Sequence, residues 1–177
     1  VGDDGLEELQ YAALTSLGRL RATEASGRIA LFLDNPSAML RARAIRSLGE
    51  IRDEAYLPRV RRMLADDQDV NCRLAAVSAL GKFGDRSSVA DLVAFYTQLA
   101  TANADAADEP RSKVVLLALA KILGLEEGFS REWRFEERLV GHRLPRLIER
   151  LAWTVRRMPG KQSGELGALI KATALGA

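Results

Sequence analysis

The chain has 177 residues, which is enough for one well-buried domain. Apolar residues make up 47% of it and charged residues 28%, a composition typical of globular proteins and not of disordered segments. The net charge is only +2, so composition alone gives no indication of a nucleic-acid partner.

The scarcity of cysteine and histidine restricts the chemistry of the chain, which has only Cys72 and His142. A single cysteine excludes an intrachain disulfide, so we expect a reducing, cytoplasmic location. One thiol and one imidazole cannot form a closed zinc site, and we predict no metal and no cofactor. The longest apolar run, Val114 to Ala120, is much shorter than the ~20 residues of a membrane span.

An internal repeat is the dominant pattern of the sequence. The motif "ALTSLG" ends at Gly18, "AIRSLG" at Gly49 and "AVSALG" at Gly81, at spacings of 31 and 32 residues. A less similar copy, "LAKILG", ends at Gly124, 43 residues further on. We expect each glycine to end its helix in the left-handed conformation. Apolar residues at i, i+1 and i+4 predict one buried stripe per helix: Ala44, Ile45 and Leu48, and Ala76, Val77 and Leu80.

A second helix is predicted after each glycine. Asp53 and Asp85 each follow their glycine by four residues, where a carboxylate can cap a helix. The second helices align as "GRIALFL" (27–33), "LPRVRRML" (57–64), "VADLVAFY" (89–96) and "LPRLIERL" (144–151). Proline at the start of two of them is compatible with a first helical turn. Each pair of helices would form a hairpin, and neighbouring hairpins would share one core.

We therefore predict an all-α fold, an α-solenoid of about four helical hairpins in a single domain covering residues 1–177. The hairpins are expected at about 4–34, 35–66, 67–99 and 111–157, followed by a short C-terminal helix at about 164–175. Insertions are expected at about 99–111 and 125–142. The first, around "TANADAADEPRS", suggests a surface arm. The second, within "GLEEGFSREWRFEERLVGH", has the apolar spacing of a short amphipathic helix.

Two stretches carry a resemblance to a known family: "RARAIRSLGEIRDEAYLPRVRRML" and "NCRLAAVSALGKFGDRSSVADLVAFY". They resemble the HEAT-like repeats of the phycobilisome-lyase type, in which an R-x-A-A-x-x-L-G helix precedes a D-x-x-x-x-P-x-L helix. The resemblance covers roughly residues 35 to 96 and is looser on both sides. It implies an α-solenoid whose second helices line a concave binding face.

Arginines are the most informative polar residues. Alignment of the second helices places Arg28, Arg59, Asp91 and Arg146 at equivalent positions, with Arg62 one turn further on. Between residues 41 and 62 there are seven arginines and three acids, so we expect more arginines than local pairing can neutralise. The planar guanidinium suits carboxylates and phosphates, and arginine is enriched at binding hot spots. We predict that the concave face binds an acidic protein or peptide.

The second insertion is a further candidate contact. Its residues Trp133, Arg134 and Phe135 combine two aromatic side chains with a cation, and we expect them to bind a partner beside the concave face. Because the chain begins at Val1, domains of a longer parent protein are also candidate partners.

Three functional hypotheses follow. The favoured one is a non-enzymatic interaction scaffold with no catalytic residues, because His142 has no defined partner or cleft and Cys72 is expected to be packed and inert. Iron-dependent deoxyhypusine hydroxylases are similar in architecture but need His-Glu dipeptides, which this chain lacks. The resemblance implies a second hypothesis, a bilin attachment or release factor whose arginines hold propionates. A nucleic-acid backbone binder is the third, although Asp91, Glu149 and "DDQD" (66–69) interrupt the basic face.

Overall fold

The computed structural model describes residues 3–102 and 109–124. These residues form seven α-helices joined by turns and short 3-10 segments, and they contain no β-strand. The predicted all-α fold is therefore confirmed. The helices are α1 (Asp3–Arg19), α2 (Ser26–Leu31), α3 (Ala38–Ile51), α4 (Leu57–Asp66), α5 (Val70–Phe83), α6 (Val89–Ala102) and α7 (Glu109–Ile122).

Contacts within the chain divide it into two compact units, Val1–Asp91 and Leu92–Ala177, with the boundary inside α6. The first unit contains two complete hairpins, α1–α2 and α3–α4, followed by α5. The described part of the second unit contains the rest of α6 and α7. Because α6 continues to Ala102 and α7 begins at Glu109, both ends of the predicted arm at 99–111 are helical. The insertion at 125–142 and the helix at 164–175 lie outside the described residues.

The first helices of successive hairpins pack side by side in the first compact unit. Helix α3 contacts α1 on one side and α5 on the other, while α2 packs on α3 and α4 packs on α5. The two predicted stripes are at the centre of this packing, since all six of their side chains are 0% exposed. The repeat register taken from the sequence is therefore confirmed for these two helices.

The repeat glycines do not end their helices in the first three copies. Gly18, Gly49 and Gly81 lie inside α1, α3 and α5, and the left-handed residues come three positions later. They are Arg21 (φ 52°), Arg52 (φ 62°) and Gly84 (φ 74°). The expectation of a glycine helix end is thus wrong for these copies. It is right for Gly124, which has a φ of 71° and follows α7.

Close approach between neighbouring first helices explains the glycines inside α1 and α3. A Cβ atom on Gly18 would lie 2.8 Å from the Cα of Ser47, and one on Gly49 would lie 2.7 Å from the Cα of Ala79. Both distances are below van der Waals contact with backbone atoms that cannot move aside alone. The hydroxyl of Ser47 also donates a hydrogen bond of 2.8 Å to the carbonyl of Leu14, which fixes α3 on α1.

The entries into α4 and α6 match the prediction. Asp53 accepts a hydrogen bond of 3.2 Å from the amide of Ala55, and Asp85 accepts one of 3.2 Å from the amide of Ser87. Each carboxylate caps a 3-10 turn that leads directly into α4 or α6. Pro58 lies in the first turn of α4, where its missing N–H costs no helical hydrogen bond.

No helix among the described residues is long and apolar enough to cross a bilayer.

Substitution Gly49→Ala tests the close approach of α3 and α5. Alanine in a helix normally stabilises it by about 0.5–1 kcal/mol relative to glycine. Here the added methyl group would force the two helices apart, so we expect the free energy of unfolding to fall by about 1–3 kcal/mol. Chemical denaturation followed by circular dichroism measures it. Gly27→Ala is the control: it lies in α2, and its new Cβ would meet only the Tyr56 hydroxyl, at 3.3 Å. A stabilised Gly49→Ala variant would contradict this packing.

Candidate functional site

The aligned positions of the second helices lie on the surface of the first compact unit. Arg28 on α2 and Arg62 on α4 are exposed, whereas Arg59 and Asp91 are partly exposed. Arg59 and Arg62 are three residues apart and therefore share one face of α4. Four of the five residues predicted for the concave face are thus available to solvent, and the fifth, Arg146, lies outside the described residues.

Two of these residues take part in ion pairs between successive hairpins. The guanidinium of Arg59 donates to the carboxylate of Asp34 at 2.7 Å, which joins α4 to the segment after α2. Arg61 donates to Asp91 at 2.7 Å and to the hydroxyl of Ser87 at 3.1 Å, which joins α4 to the start of α6. These side chains are between 37% and 79% exposed, so each pair contributes about 0–1 kcal/mol. Their main effect is to hold the arginines in position.

A third ion pair, between Arg41 and Asp67, is more deeply buried. Two N–H groups of Arg41 donate to the two carboxylate oxygens of Asp67 at 2.9 and 3.0 Å, and the side chain of Asp67 is only 3% exposed. Arg41 also donates to the carbonyls of Asn35 and Pro36 at 2.9 and 3.0 Å. It therefore ties the loop before α3 to the loop before α5. The fork geometry is the strong, bidentate form of an arginine–carboxylate pair.

The environment of Asp67 shifts its acidity. Burial alone raises the pKa of this carboxyl group, but the hydrogen bonds from Arg41 and from the Asp69 amide, with the guanidinium charge, outweigh burial. The pKa of Asp67 is therefore below its ordinary value. The same hydrogen bond raises the pKa of Arg41, despite the opposing effect of burial.

Four of the seven arginines between residues 41 and 62 are occupied within the fold. Three of them, Arg41, Arg59 and Arg61, form the ion pairs described above. The fourth, Arg43, lies over the ring of Tyr11, 4.6 Å from the ring centroid, and donates a hydrogen bond of 2.7 Å to the Tyr11 hydroxyl. All four partners lie outside residues 41–62, about one repeat away: Tyr11, Asp34, Asp67 and Asp91. Acids within residues 41–62 therefore account for none of the three arginine–carboxylate pairs, which use carboxylates about one repeat away. Arg46, Arg52 and Arg62 are exposed.

A small surface of mixed chemistry lies on the second helices. We call it the second-helix patch and define it by Arg28, Leu31, Arg59 and Arg62. Leu31 is 72% exposed and lies at the α2 position equivalent to Arg62 on α4. Sequence reasoning did not select Leu31, although its alignment with Arg62 shows that it faces outward. The patch offers guanidinium groups for carboxylates and one apolar contact.

The insertion residues predicted to bind a partner, Trp133, Arg134 and Phe135, lie outside the described residues, as does His142. Their role remains a prediction. Among the described residues there is no group of three or more histidine, cysteine, aspartate or glutamate side chains that could hold a metal ion.

Cys72 is packed in the interior, as predicted. It is 0% exposed, and its Sγ lies 3.2 Å from the carbonyl oxygen of Ala38. Burial, followed by the negative charge of Asp67, raises the pKa of the Cys72 thiol to about 11. The thiolate is the reactive species, so both the burial and the raised pKa of Cys72 disfavour a nucleophilic role.

Comparison with protein families gives a match. The family described as "HEAT repeats" matches residues 3–69 and 25–123, two overlapping segments that together contain α1 to α7. This confirms the resemblance to HEAT-like repeats, while the phycobilisome-lyase type remains a prediction. A comparison with curated proteins gives no match.

Substitution Asp67→Asn measures how the contribution of the Arg41–Asp67 pair to the free energy of unfolding depends on pH. The pKa of Asp67 is lower in the folded chain than in the unfolded chain, where it is about 4. The ionised carboxylate therefore stabilises the fold at pH values above the unfolded-state pKa. This contribution is lost as the pH falls through the folded-state pKa. Near neutral pH we expect the variant to lose about 1.5–3 kcal/mol. The difference from wild type should shrink in acid, as measured by urea unfolding across a pH series. Asp66→Asn, at an exposed neighbour, is the matched control. A difference that does not vary with pH would contradict the assignment.

Thiol labelling tests the burial of Cys72. A chromogenic disulfide reagent at neutral pH should react with Cys72 at least ~100-fold more slowly in the native chain than in urea. The Ala90→Cys variant adds a thiol at an exposed position of α6 and should react at once without denaturant. Equal native rates for the two thiols would show that Cys72 is accessible.

Proposed function

The chain belongs to the HEAT-repeat family, and on that premise we propose that it is a scaffold whose second-helix patch binds an acidic protein segment. Repeats of this family commonly serve as protein-interaction scaffolds. Stacked hairpins suit this role because they present equivalent side chains at regular intervals along one surface.

The exposure of Arg28 and Arg62 is the observation that carries the proposal. They lie on the second helices of two successive hairpins, and neither forms an ion pair with a described residue. Other arginines of the same region are held by carboxylates one repeat away. A partner carboxylate would therefore find two uncommitted guanidinium groups on helices that are already fixed. Little further ordering of the backbone would oppose binding.

The neighbours of these arginines restrict the kind of partner. Leu31 provides an apolar contact, so the segment that fits best has acidic residues on either side of an apolar one. The carboxylates of Asp34 and Asp91 lie beside Arg59 and Arg61 and would repel a uniform polyanion. This arrangement favours an acidic protein segment over the continuous phosphate backbone of a nucleic acid.

The proposal includes Arg146, which the repeat alignment places at the position of Arg28 and Arg59 in the fourth hairpin. It also includes the insertion residues Trp133, Arg134 and Phe135 as a second contact that would add specificity. Sequence alignment alone supports this extension. The alternative role in bilin attachment or release rests on the family resemblance alone. Comparing the affinities for a peptide, a DNA duplex and a free bilin distinguishes it from the scaffold role.

A peptide-binding experiment tests the second-helix patch. The probe is a fluorescein-labelled peptide with two clusters of glutamate around one leucine, and its affinity is measured by fluorescence anisotropy. The double variant Arg28→Glu/Arg62→Glu should weaken binding at least ~10-fold, because two attractive contacts become repulsive. Arg59 is left unchanged, since a glutamate there would also replace its ion pair with Asp34 by a repulsion within the chain.

The double variant Arg46→Glu/Arg52→Glu is the matched control. It changes the net charge by the same amount at two exposed arginines outside the patch. We expect it to reduce affinity less than ~3-fold, through long-range attraction alone. Equal losses in the two variants would contradict a specific site. Tighter binding of a labelled DNA duplex or of a free bilin than of the peptide would favour one of the other two hypotheses.

A further inference from the structure

The side of α1 that faces away from α3 is apolar and exposed. Leu6 is 54% exposed, Leu9 66% and Leu20 77%, and Ala13 between them is also exposed. We call these four residues the α1 stripe. Their spacing places them on one side of the helix. Leu20 directly follows α1. Its amide donates a hydrogen bond of 2.9 Å to the carbonyl of Ser16, which continues the helical hydrogen-bond pattern by one residue.

Equivalent positions in the next first helix are buried. Leu9, Ala13 and Leu20 correspond in the 31-residue repeat to Leu40, Ala44 and Ile51 of α3, which are 2%, 0% and 9% exposed. In α3 these residues share the side that packs against α1, as the contact of Ser47 with Gly18 shows. On the same side of α5, Cys72 and Ala76 are each 0% exposed. The α1 stripe thus corresponds to the helix-packing side of the repeat, and on α1 it is exposed.

The charges of α1 indicate what could cover the stripe. Glu8 is exposed near the start of α1, whereas Arg19 and Arg21 are exposed at its end. A second α1 packed antiparallel would place each acidic end beside a basic end, while parallel packing would place like charges together. Glu8 and Arg19 are exposed on the same flank of the stripe. Antiparallel packing brings Glu8 of one copy opposite Arg19 of the other.

The stripe is also symmetric along the helix. Leu6 and Leu20 each lie seven residues from Ala13, so a twofold axis at Ala13 brings the two leucines of different copies together. The side chains near the axis are small, namely Ala12, Ala13 and Ser16, and allow the helices to approach closely. Close approach between first helices already occurs twice within the chain, at Gly18 and Gly49.

We propose that two copies of the chain associate through the α1 stripe, with their α1 helices packed antiparallel about a twofold axis near Ala13. The interface is isologous, because the same residues contribute from both copies. It continues the packing of first helices from one chain into the next. It lies on a different surface from the second-helix patch, so it does not depend on the proposed function.

Sedimentation equilibrium of the full chain tests the association. Wild type should be a dimer that dissociates on dilution, and Leu9→Glu should raise the dimer dissociation constant at least ~100-fold because it buries a charge in the stripe. Leu31→Glu changes an equally exposed leucine on α2 and should leave the constant unchanged. Circular dichroism verifies that both variants keep their helical content. A monomeric wild type, or a Leu9→Glu variant that still dimerises, overturns the proposal.

Charge reversal tests the antiparallel arrangement without altering the stripe itself. Glu8→Arg should weaken the dimer, since it places two arginines together at each end. Adding Arg19→Glu to the same chain should restore the wild-type dissociation constant, because the ion pair re-forms with its signs exchanged. Failure of the double variant to recover would overturn the antiparallel geometry. The proposed self-association would also be overturned if wild type were monomeric and bound a different helical protein at the α1 stripe.

Discussion

Backbone contact between adjacent first helices is the constraint on which the rest of the first compact unit depends. Glycine at positions 18 and 49 allows α1, α3 and α5 to approach until a Cβ atom would collide with the neighbouring backbone. At this separation the apolar stripes are fully buried and the Ser47 hydroxyl reaches the carbonyl of Leu14. A wider separation would leave voids along both interfaces, and voids are costly in proportion to their volume.

This packing also fixes which polar groups meet. The ion pairs of Arg59, Arg41 and Arg61 join residues 25, 26 and 30 positions apart in the sequence, which is close to one repeat. The exposed pairs contribute little free energy. Breaking the Arg41–Asp67 pair would cost more, because the buried carboxylate of Asp67 would then lack both its ionic partner and water. Consecutive hairpins are thus held by apolar burial and aligned by arginine–carboxylate pairs. Arg28 and Arg62 are exposed and form no ion pair with a described residue.

Much of this fold could be predicted from the sequence because the relevant information is local. The stripe that includes Leu48 follows from helical spacing, and the caps at Asp53 and Asp85 follow from their position before a helix. Within a helix, Pro58 fits the first turn. The role of Gly49 could not be predicted in this way. A glycine at the end of an apolar stripe fits both a helix end and a close contact, and only the neighbouring helix distinguishes them. The repeat alignment identified the outward face of the second helices, but it could not show that Arg59 and Asp91 are already paired. Their partners, Asp34 and Arg61, lie in the preceding hairpin.

Two surfaces of the first compact unit are not used by its internal packing. The second-helix patch is cationic with one apolar side chain, and the α1 stripe is apolar with charged ends. The central claim is that a partner binds the patch, and the most direct measurement is an amide NMR titration of the chain with the glutamate-rich peptide. The account predicts saturable shifts of amide resonances in α2 and α4, with α3 unchanged. Shifts confined to α1 or α3, or no shifts at all, would contradict it.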